Sequence, residues 1–114
     1  MLNCLFCKIV QKEVPAKVVF EDERTLVFDD INPKAPTHLL VIPKKHLESI
    51  ETASNEDVLD LGHLFLVARN LARKRGHDQS GYRTVINTGP DAGQSVFHIH
   101  IHLLGGRVMA WPPG

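Results

Sequence analysis

The chain has 114 residues, of which 43% are hydrophobic and 23% are charged. This length suits one domain and is too short for two, so we expect a single soluble domain over residues 1–114. The formal net charge is zero, which argues against a nucleic-acid partner. No apolar run approaches the roughly 20 residues that span a bilayer, so we expect no membrane partner either.

The N-terminal segment, Met-Leu-Asn-Cys-Leu-Phe-Cys-Lys, lacks the charged-then-apolar order of a signal peptide. We therefore expect a cytoplasmic location. Cys4 and Cys7 are too close for a useful structural disulfide, and a reducing cytosol disfavours one. The pair can be read as a redox pair, as metal ligands or as ordinary thiols.

The first half of the chain predicts a short helix and three strands. The helix is expected over residues 5–11, followed by strands over 17–21 and 25–28 that a charged turn separates. Residues 31–36 predict a loop because two prolines flank polar turn residues. A buried strand over 38–43 then ends at its proline.

The segment over residues 55–75 predicts the longest helix. Ser54 is a suitable N-cap, and Gly76 a suitable residue to end the helix. Seven residues form the apolar stripe expected to pack on a sheet: Val58, Leu61, Leu64, Phe65, Ala68, Leu71 and Ala72. Three more, Leu59, Leu66 and Val67, fall outside it. They indicate either a second buried contact, such as a subunit interface, or scattered exposed apolar residues.

Two further strands are expected over residues 82–88 and 96–104, joined by a glycine-containing loop over 89–95. Short turns between strand pairs favour an antiparallel sheet over a parallel one. The predicted fold class is therefore α+β, with about five antiparallel strands, one long helix and one short helix.

The most informative motif is His-Ile-His-Ile-His at residues 98–102. In an extended strand alternate side chains share a face, so His98, His100 and His102 should line one face. Phe97, Ile99, Ile101 and Leu103 should then enter the core. Neutral imidazoles can act as nucleophiles near pH 7 or bind a metal ion, so the motif alone leaves both uses open.

The loop before this strand suggests an anion site. Gly89, Gly93, the backbone near Gln94 and Ser95, and the amide of Asn87 could gather hydrogen-bond donors into a concavity. A phosphate held there would lie beside the start of the histidine strand. Taken alone, the same loop is an ordinary hairpin turn.

Cys4 and Cys7 supply half of a tetrahedral zinc site. The other two ligands must come from elsewhere in the chain, and His46 and His98 are the candidates. A redox role has less support because neither a flanking redox motif nor a βαβ unit accompanies the cysteines. Two partly buried thiols without a metal remain the alternative.

These segments together resemble the histidine triad (HIT) superfamily, and in particular its Hint branch. The motif His98-Ile99-His100-Ile101-His102-Leu103-Leu104 matches the family signature. Further similarity covers nearly the whole chain, in the segments Phe6-Cys7-Lys8-Ile9, Glu13-Val14-Pro15-Ala16-Lys17, 35–46, Gly93-Gln94-Ser95-Val96-Phe97, Leu104-Gly105-Gly106-Arg107 and Trp111-Pro112-Pro113-Gly114. The resemblance implies a HIT-like fold and a homodimer that hydrolyses purine nucleoside phosphoramidates through a nucleotidyl-histidine intermediate.

Carried onto this chain, the resemblance implies that His100 is the nucleophile and that His102, His38 and Ser95 assist catalysis. Asp30 would bind the ribose hydroxyls. The remaining nucleotide contacts would come from Asn87, Gly93 and Ser95 at the phosphate, from Phe6, Ile9, Val14, Phe28 and Ile31 around the base, and from Trp111, which would reach the partner subunit's site.

Many Hint proteins lack the two cysteines, whereas some bacterial-type members and related uridylyltransferases use such a pair with two histidines to bind zinc. The resemblance thus implies a structural zinc ion at Cys4, Cys7, His46 and His98.

Two other functions stay open at this point. One is hydrolysis of dinucleoside polyphosphates, which shares the nucleophile and differs in the leaving group. The other is a nucleotide-binding regulatory module with incidental turnover. Both keep the same motif residues, so the sequence does not separate them.

Overall fold

A computed structural model describes residues 3–114 of the chain. Its centre is a five-stranded sheet in which every neighbouring pair is antiparallel and the order is β1-β2-β3-β5-β4. The strands are β1 Val18–Glu21, β2 Thr25–Asp29, β3 Thr37–Pro43, β4 Tyr82–Val85 and β5 Ile101–Gly105. The predicted α+β class is therefore confirmed, and the C-terminal strand lies inside the sheet between β3 and β4.

The two predicted helices are α1, Leu5–Val10, and α2, Val58–Lys74. Short 3-10 turns, Ile50–Thr52 and Asn55–Asp57, precede α2. Ser54 caps the second turn as expected: its hydroxyl accepts from the N–H of Glu56, and its own N–H donates to the Asp57 carboxylate. Gly76 follows α2 with φ +80°, a conformation that favours glycine at a helix end.

Both faces of the sheet are covered, which explains why every residue of β3 is buried. Leu39 and Val41 pack under α2, whereas Leu40 and Ile42 point to the opposite face beneath α1. Side chains alternate along a strand, so burial on both sides accounts for the unbroken apolar run over residues 39–43. The chemistry-bearing residues of the sequence lie on the α1 face.

The core-facing stripe of α2 is rotated relative to the prediction. Leu64, Val67 and Leu71 face the sheet, whereas Val58 and Phe65 are exposed. The placements of Val58 and Phe65 in the core, and of Val67 outside it, were wrong. Val67 lies three residues after Leu64 and four before Leu71, so it belongs to the centre of the buried stripe.

The last predicted strand is shorter than expected. Only Ile101–Gly105 belongs to the sheet, because Val41 of β3 pairs with Ile101 and the partner strand ends two residues later at Pro43. Phe97 is 54% exposed, so its predicted place in the core was wrong. Ile99, Ile101 and Leu103 enter the core as predicted. Likewise, β4 ends at Val85, where its pairing with β5 stops.

Within residues 3–114, none of the helices has the length and apolar character needed to cross a bilayer.

Candidate active site and metal site

A cleft of about 830 Å³ opens on the α1 face of the sheet. His38, His100 and His102 lie along it, together with Asp30 and Ser95. Its apolar walls include all five side chains that the resemblance assigns to a base pocket, namely Phe6, Ile9, Val14, Phe28 and Ile31. The fold thus joins three histidines to an apolar recess large enough for a small ligand.

The hydrogen bonds of His100 define where its lone pair lies. Its Nδ1 is 2.7 Å from the carbonyl oxygen of His98. A carbonyl only accepts, so Nδ1 carries the ring proton and Nε2 keeps a free lone pair. The ring is buried, and Phe6 packs against it edge to face with ring centres 5.1 Å apart. Among the described residues, no group bonds to Nε2, which leaves it available to a ligand in the cleft.

A relay of hydrogen bonds likewise sets the tautomers of His38 and His102. The backbone N–H of Lys34 donates to Nδ1 of His38 over 3.0 Å, so the proton of that ring is on Nε2. Nε2 of His38 then donates to Nδ1 of His102 over 2.9 Å. The His102 proton must therefore lie on Nε2, where it can be donated to a ligand.

Burial keeps these rings neutral. Burial, together with the neighbouring His100 and His38, lowers the pKa of His102 to about 4. Burial also lowers the pKa of His38, although the nearby Asp30 carboxylate opposes this. Protonating His38 or His102 would place a cation in a buried site next to another imidazole. His38 and His102 are therefore uncharged near neutral pH.

Asp30 lies next to this relay at the end of β2. One carboxylate oxygen accepts from the N–H of Asn32 over 2.8 Å, and the other is 3.4 Å from Nε2 of His38. Asp30, His38 and His102 bring three potential metal ligands within 4.8 Å of one another. The Lys34 N–H, however, holds the proton of His38 on the nitrogen that would have to bind the metal. This cluster therefore does not fit a metal ion.

The four predicted zinc ligands, in contrast, converge on one point. Nδ1 of His98 is 3.4 Å from Sγ of Cys4 and 3.6 Å from Sγ of Cys7. Nδ1 of His46 is 3.2 Å from both Sγ of Cys7 and Nδ1 of His98. Zinc bonds of about 2.0–2.3 Å in a tetrahedron imply ligand separations of about 3.3–3.8 Å, so the cluster has nearly the size zinc requires.

Local structure explains how these ligands are presented. Cys4 is the N-cap of α1, and its sulfur accepts from the N–H of Cys7 over 3.3 Å. The His98 ring donates from Nε2 to the Pro43 carbonyl over 2.8 Å, which leaves Nδ1 as its ligating atom. Burial, together with Cys4, raises the pKa of the Cys7 thiol to about 11. Metal binding would replace that thiol proton.

The loop over residues 89–95 uses part of its donor set internally. The N–H of Gly93 donates to the Pro90 carbonyl, and the N–H of Gln94 donates to the Gly89 carbonyl. Gly93 has φ +83°, so a glycine suits this turn. Ser95 lines the cleft, and within residues 3–114 neither its N–H nor its hydroxyl has a hydrogen-bond partner. Of these residues, Ser95 is the donor best placed for an anion.

Three residues assigned by resemblance, Asn87, Gly93 and Trp111, do not line this cleft. Asn87 lines a neighbouring recess, which also contains His38, His102 and Asp30. Trp111 is 80% exposed and does not line either recess. Sequence reasoning missed the Lys34 N–H and the Gln94 side chain. The first acts through its backbone, and nothing in the local sequence marks the second as buried.

Fold and site together define a histidine-triad protein in which two cysteines and two further histidine ligand atoms, adjoining the cleft, have the arrangement of a zinc site. The HIT domain family matches residues 11–109. A 14 kDa zinc-binding protein of Zea mays is 53% identical over 112 residues, which cover 96% of this chain and 87% of the maize protein. The chain therefore belongs to the HIT family.

Solved structures agree with this membership. A HIT family hydrolase from Legionella pneumophila superposes with a TM-score of 0.96 at 54% identity, covering 98% of this chain and 100% of its own. A histidine triad nucleotide-binding protein from Candida albicans superposes with a TM-score of 0.82 at 31% identity, covering 96% of this chain and 83% of its own.

Protein purified without chelator should contain about one zinc ion per chain, because the four ligand atoms have tetrahedral spacing. Cys7→Ser should lose the metal. His102→Asn should retain it, because His102 belongs to the Asp30–His38–His102 group, which does not fit a metal ion. Metal analysis of both variants checks this. Zinc removal should also lower the melting temperature. Metal loss in His102→Asn but not in Cys7→Ser would contradict the assignment. So would protein that, as purified without chelator, contains no metal and has both thiols freely titratable.

The free energy of unfolding should fall as pH is lowered from 6.5 to about 4. In that window the unfolded chain protonates His102, while the folded state keeps the ring neutral. In His102→Asn the slope of the free energy of unfolding against pH should be smaller, by up to the amount that corresponds to about one bound proton. Urea unfolding across this pH range measures the difference. Both proteins keep all four metal ligands, so any metal loss at low pH affects both slopes and does not account for the difference between them. Equal pH slopes would show that His102 is not held neutral.

Proposed function

We propose that the protein hydrolyses the phosphorus–nitrogen bond of purine nucleoside phosphoramidates, with adenosine monophosphate joined to a small amine as the substrate type. The observation that carries the proposal is the tautomer of His100. Its Nδ1–H bond to the His98 carbonyl leaves the Nε2 lone pair in the cleft, as nucleophilic catalysis requires.

In the proposed reaction, Nε2 of His100 attacks the α-phosphorus, and the bond from phosphorus to the amine nitrogen breaks. The amine leaves with that electron pair and takes a proton from the Nε2–H of His102, which the relay from His38 maintains. Water then attacks the nucleotidyl-histidine: its oxygen bonds to phosphorus, one of its protons returns to Nε2 of His102, and the bond from phosphorus to His100 breaks, which releases the nucleoside monophosphate and restores both histidines. The Ser95 hydroxyl lies beside the same site and can donate to the phosphate or the departing nitrogen.

The rest of the cleft suits a nucleoside. The Asp30 carboxylate offers two acceptor oxygens for the two ribose hydroxyls, and the apolar group around Phe6 and Phe28 suits a purine ring. Asn87 belongs to the proposed phosphate contacts from the adjoining recess. Gly93, whose N–H donates to the Pro90 carbonyl, would contribute through the turn that it allows before Ser95.

Zinc held by Cys4, Cys7, His46 and His98 would be structural. A closed four-ligand site keeps no open position for substrate, so the ion would supply folding energy and no reaction step. It would connect the start of α1 to the chain just before His100. Two reduced thiols suit a reducing compartment, and the proposal places the protein in the cytoplasm.

The decisive experiment compares hydrolysis of an adenosine phosphoramidate and a dinucleoside polyphosphate by the same preparation. We expect the phosphoramidate to have the larger kcat/KM. His100→Ala should lower turnover by on the order of 10³-fold or more while binding of adenosine monophosphate persists, because attack and docking use different groups.

His63→Ala is the matched control, since His63 lies outside the cleft on α2 and bonds to Asp22. It should leave turnover unchanged. Preference for the dinucleoside polyphosphate would move the protein to the alternative hydrolase. Binding without turnover would favour the regulatory module.

The proposed assembly is a twofold homodimer. Val58, Leu59, Phe65 and Leu66 form an exposed apolar face on α2, opposite the buried stripe. A face of this kind, repeated by a symmetry axis, can bury itself against its own copy. Trp111 lies outside its own chain's cleft, which leaves it free to approach the partner's site, as the resemblance implies.

Light scattering at micromolar concentration should return about twice the chain mass of 12.7 kDa. Leu66→Glu should shift the protein toward monomer because it places a charge in the buried face. Val18→Glu, at an exposed position on β1, should remain dimeric. A monomer mass for the wild type would refute the dimer and the cross-subunit place of Trp111.

A further inference from the structure

The Gln94 side chain is buried and makes three hydrogen bonds, all of them to backbone groups. It is only 7% exposed. Its Oε1 accepts from the N–H of Gly89 over 2.9 Å, and its Nε2 donates to the carbonyls of Glu48 and Val96 over 2.8 and 3.2 Å. Buried amides that bond on both ends hold their neighbours in one arrangement, since each partner would otherwise lose its hydrogen bond.

These bonds close the 89–95 loop. The backbone N–H of Gln94 donates to the Gly89 carbonyl, and its side chain accepts from the Gly89 N–H, so one residue satisfies both backbone groups of Gly89. Gly89 and Gly93 both have φ near +80°, so the loop's own backbone bends at either end. Ser95 follows Gln94 directly, and its position in the cleft depends on this closure.

The Glu48 carbonyl that accepts from Gln94 belongs to a segment, residues 46–48, that is held in place by the core. Leu47 is buried in the core, and its carbonyl accepts from the N–H of Ile99 over 2.7 Å. His46 belongs to the cysteine–histidine cluster with His98. Gln94 therefore connects an otherwise exposed loop to a segment fixed both by the core and by that cluster.

We propose that Gln94 is a positioning residue that fixes the 89–95 loop against the 46–48 segment and so aligns Ser95 with the phosphate attacked by His100. The inference rests on the proposed function for its reaction and on the hydrogen bonds of Gln94 for its geometry. Gln94 touches no substrate in this scheme. It acts through Gly89 and Ser95.

Gln94→Leu, which keeps the size and removes all three side-chain bonds, tests the proposal. With an adenosine phosphoramidate, kcat should fall on the order of 10–100-fold, because small misplacements of catalytic groups are costly. KM should change by less than about threefold, since the ribose and base contacts lie elsewhere in the cleft. Amide exchange at Gly89 should become faster. Zinc content should remain at the wild-type value.

Gln79→Leu, the same change at an exposed glutamine, is the control and should match the wild type. If Gln94→Leu fails to fold, Gln94→Glu provides the second variant: it retains an acceptor for Gly89 and loses both donors, so kcat should still fall. A variant that melts at lower temperature but keeps the wild-type kcat well below its transition would overturn the positioning role and leave only a structural one.

A wild type without phosphoramidate turnover would refute the proposed function and not this inference. The role of Gln94 in holding the loop is then tested by hydrogen exchange of the Gly89 amide. It is also tested by binding of inorganic phosphate, measured from the shift of the Ser95 amide resonance. Faster exchange and weaker phosphate binding in Gln94→Leu would support the inference. Unchanged exchange and binding would overturn it.

Discussion

The arrangement of the site depends on His98, which makes a different contact through each of its polar groups. Its ring is fully buried, with Nε2 bonded to the Pro43 carbonyl and Nδ1 directed at the two cysteines and His46. Its backbone carbonyl accepts from Nδ1 of His100. A single residue therefore fixes the cysteine–histidine cluster on one side and the tautomer of His100 on the other. A change in its backbone position would disturb both.

Strand alternation accounts for the division of labour among the three histidines. Successive residues of the motif face opposite sides, so the isoleucines enter the core under α2 while the imidazoles share the α1 face. Position along the chain then separates the roles. His98 lies before the sheet begins and meets the N-terminal cysteines, whereas His102 lies within β5 and meets His38 from β3. His100, between them, faces the open cleft.

Much of this could be predicted from sequence, and the failures have physical causes. The histidine motif, the cysteine pair and the caps of the long helix carry local signals, and each predicted feature lies where its residues indicated. Phe97 was misplaced because the length of a strand depends on its partner, and β3 ends at Pro43. Val58 and Phe65 were misplaced because α2 carries apolar residues on two faces, and the sequence pattern does not reveal which face packs against the sheet.

The groups that set proton positions could not be predicted, because most of them are backbone atoms. The carbonyls of His98 and Pro43 orient two imidazoles, and the N–H of Lys34 orients a third. Any residue type other than proline supplies an N–H, and every residue supplies a carbonyl, so side-chain identity at positions such as Lys34 carries no trace of this role. The side chains of the motif supply the imidazoles, and the backbone of the loops determines which ring nitrogen carries the proton and which keeps a lone pair. A substitution that preserves loop geometry should therefore leave the chemistry intact, even beside the cleft. One that moves a loop should impair the chemistry without altering any histidine.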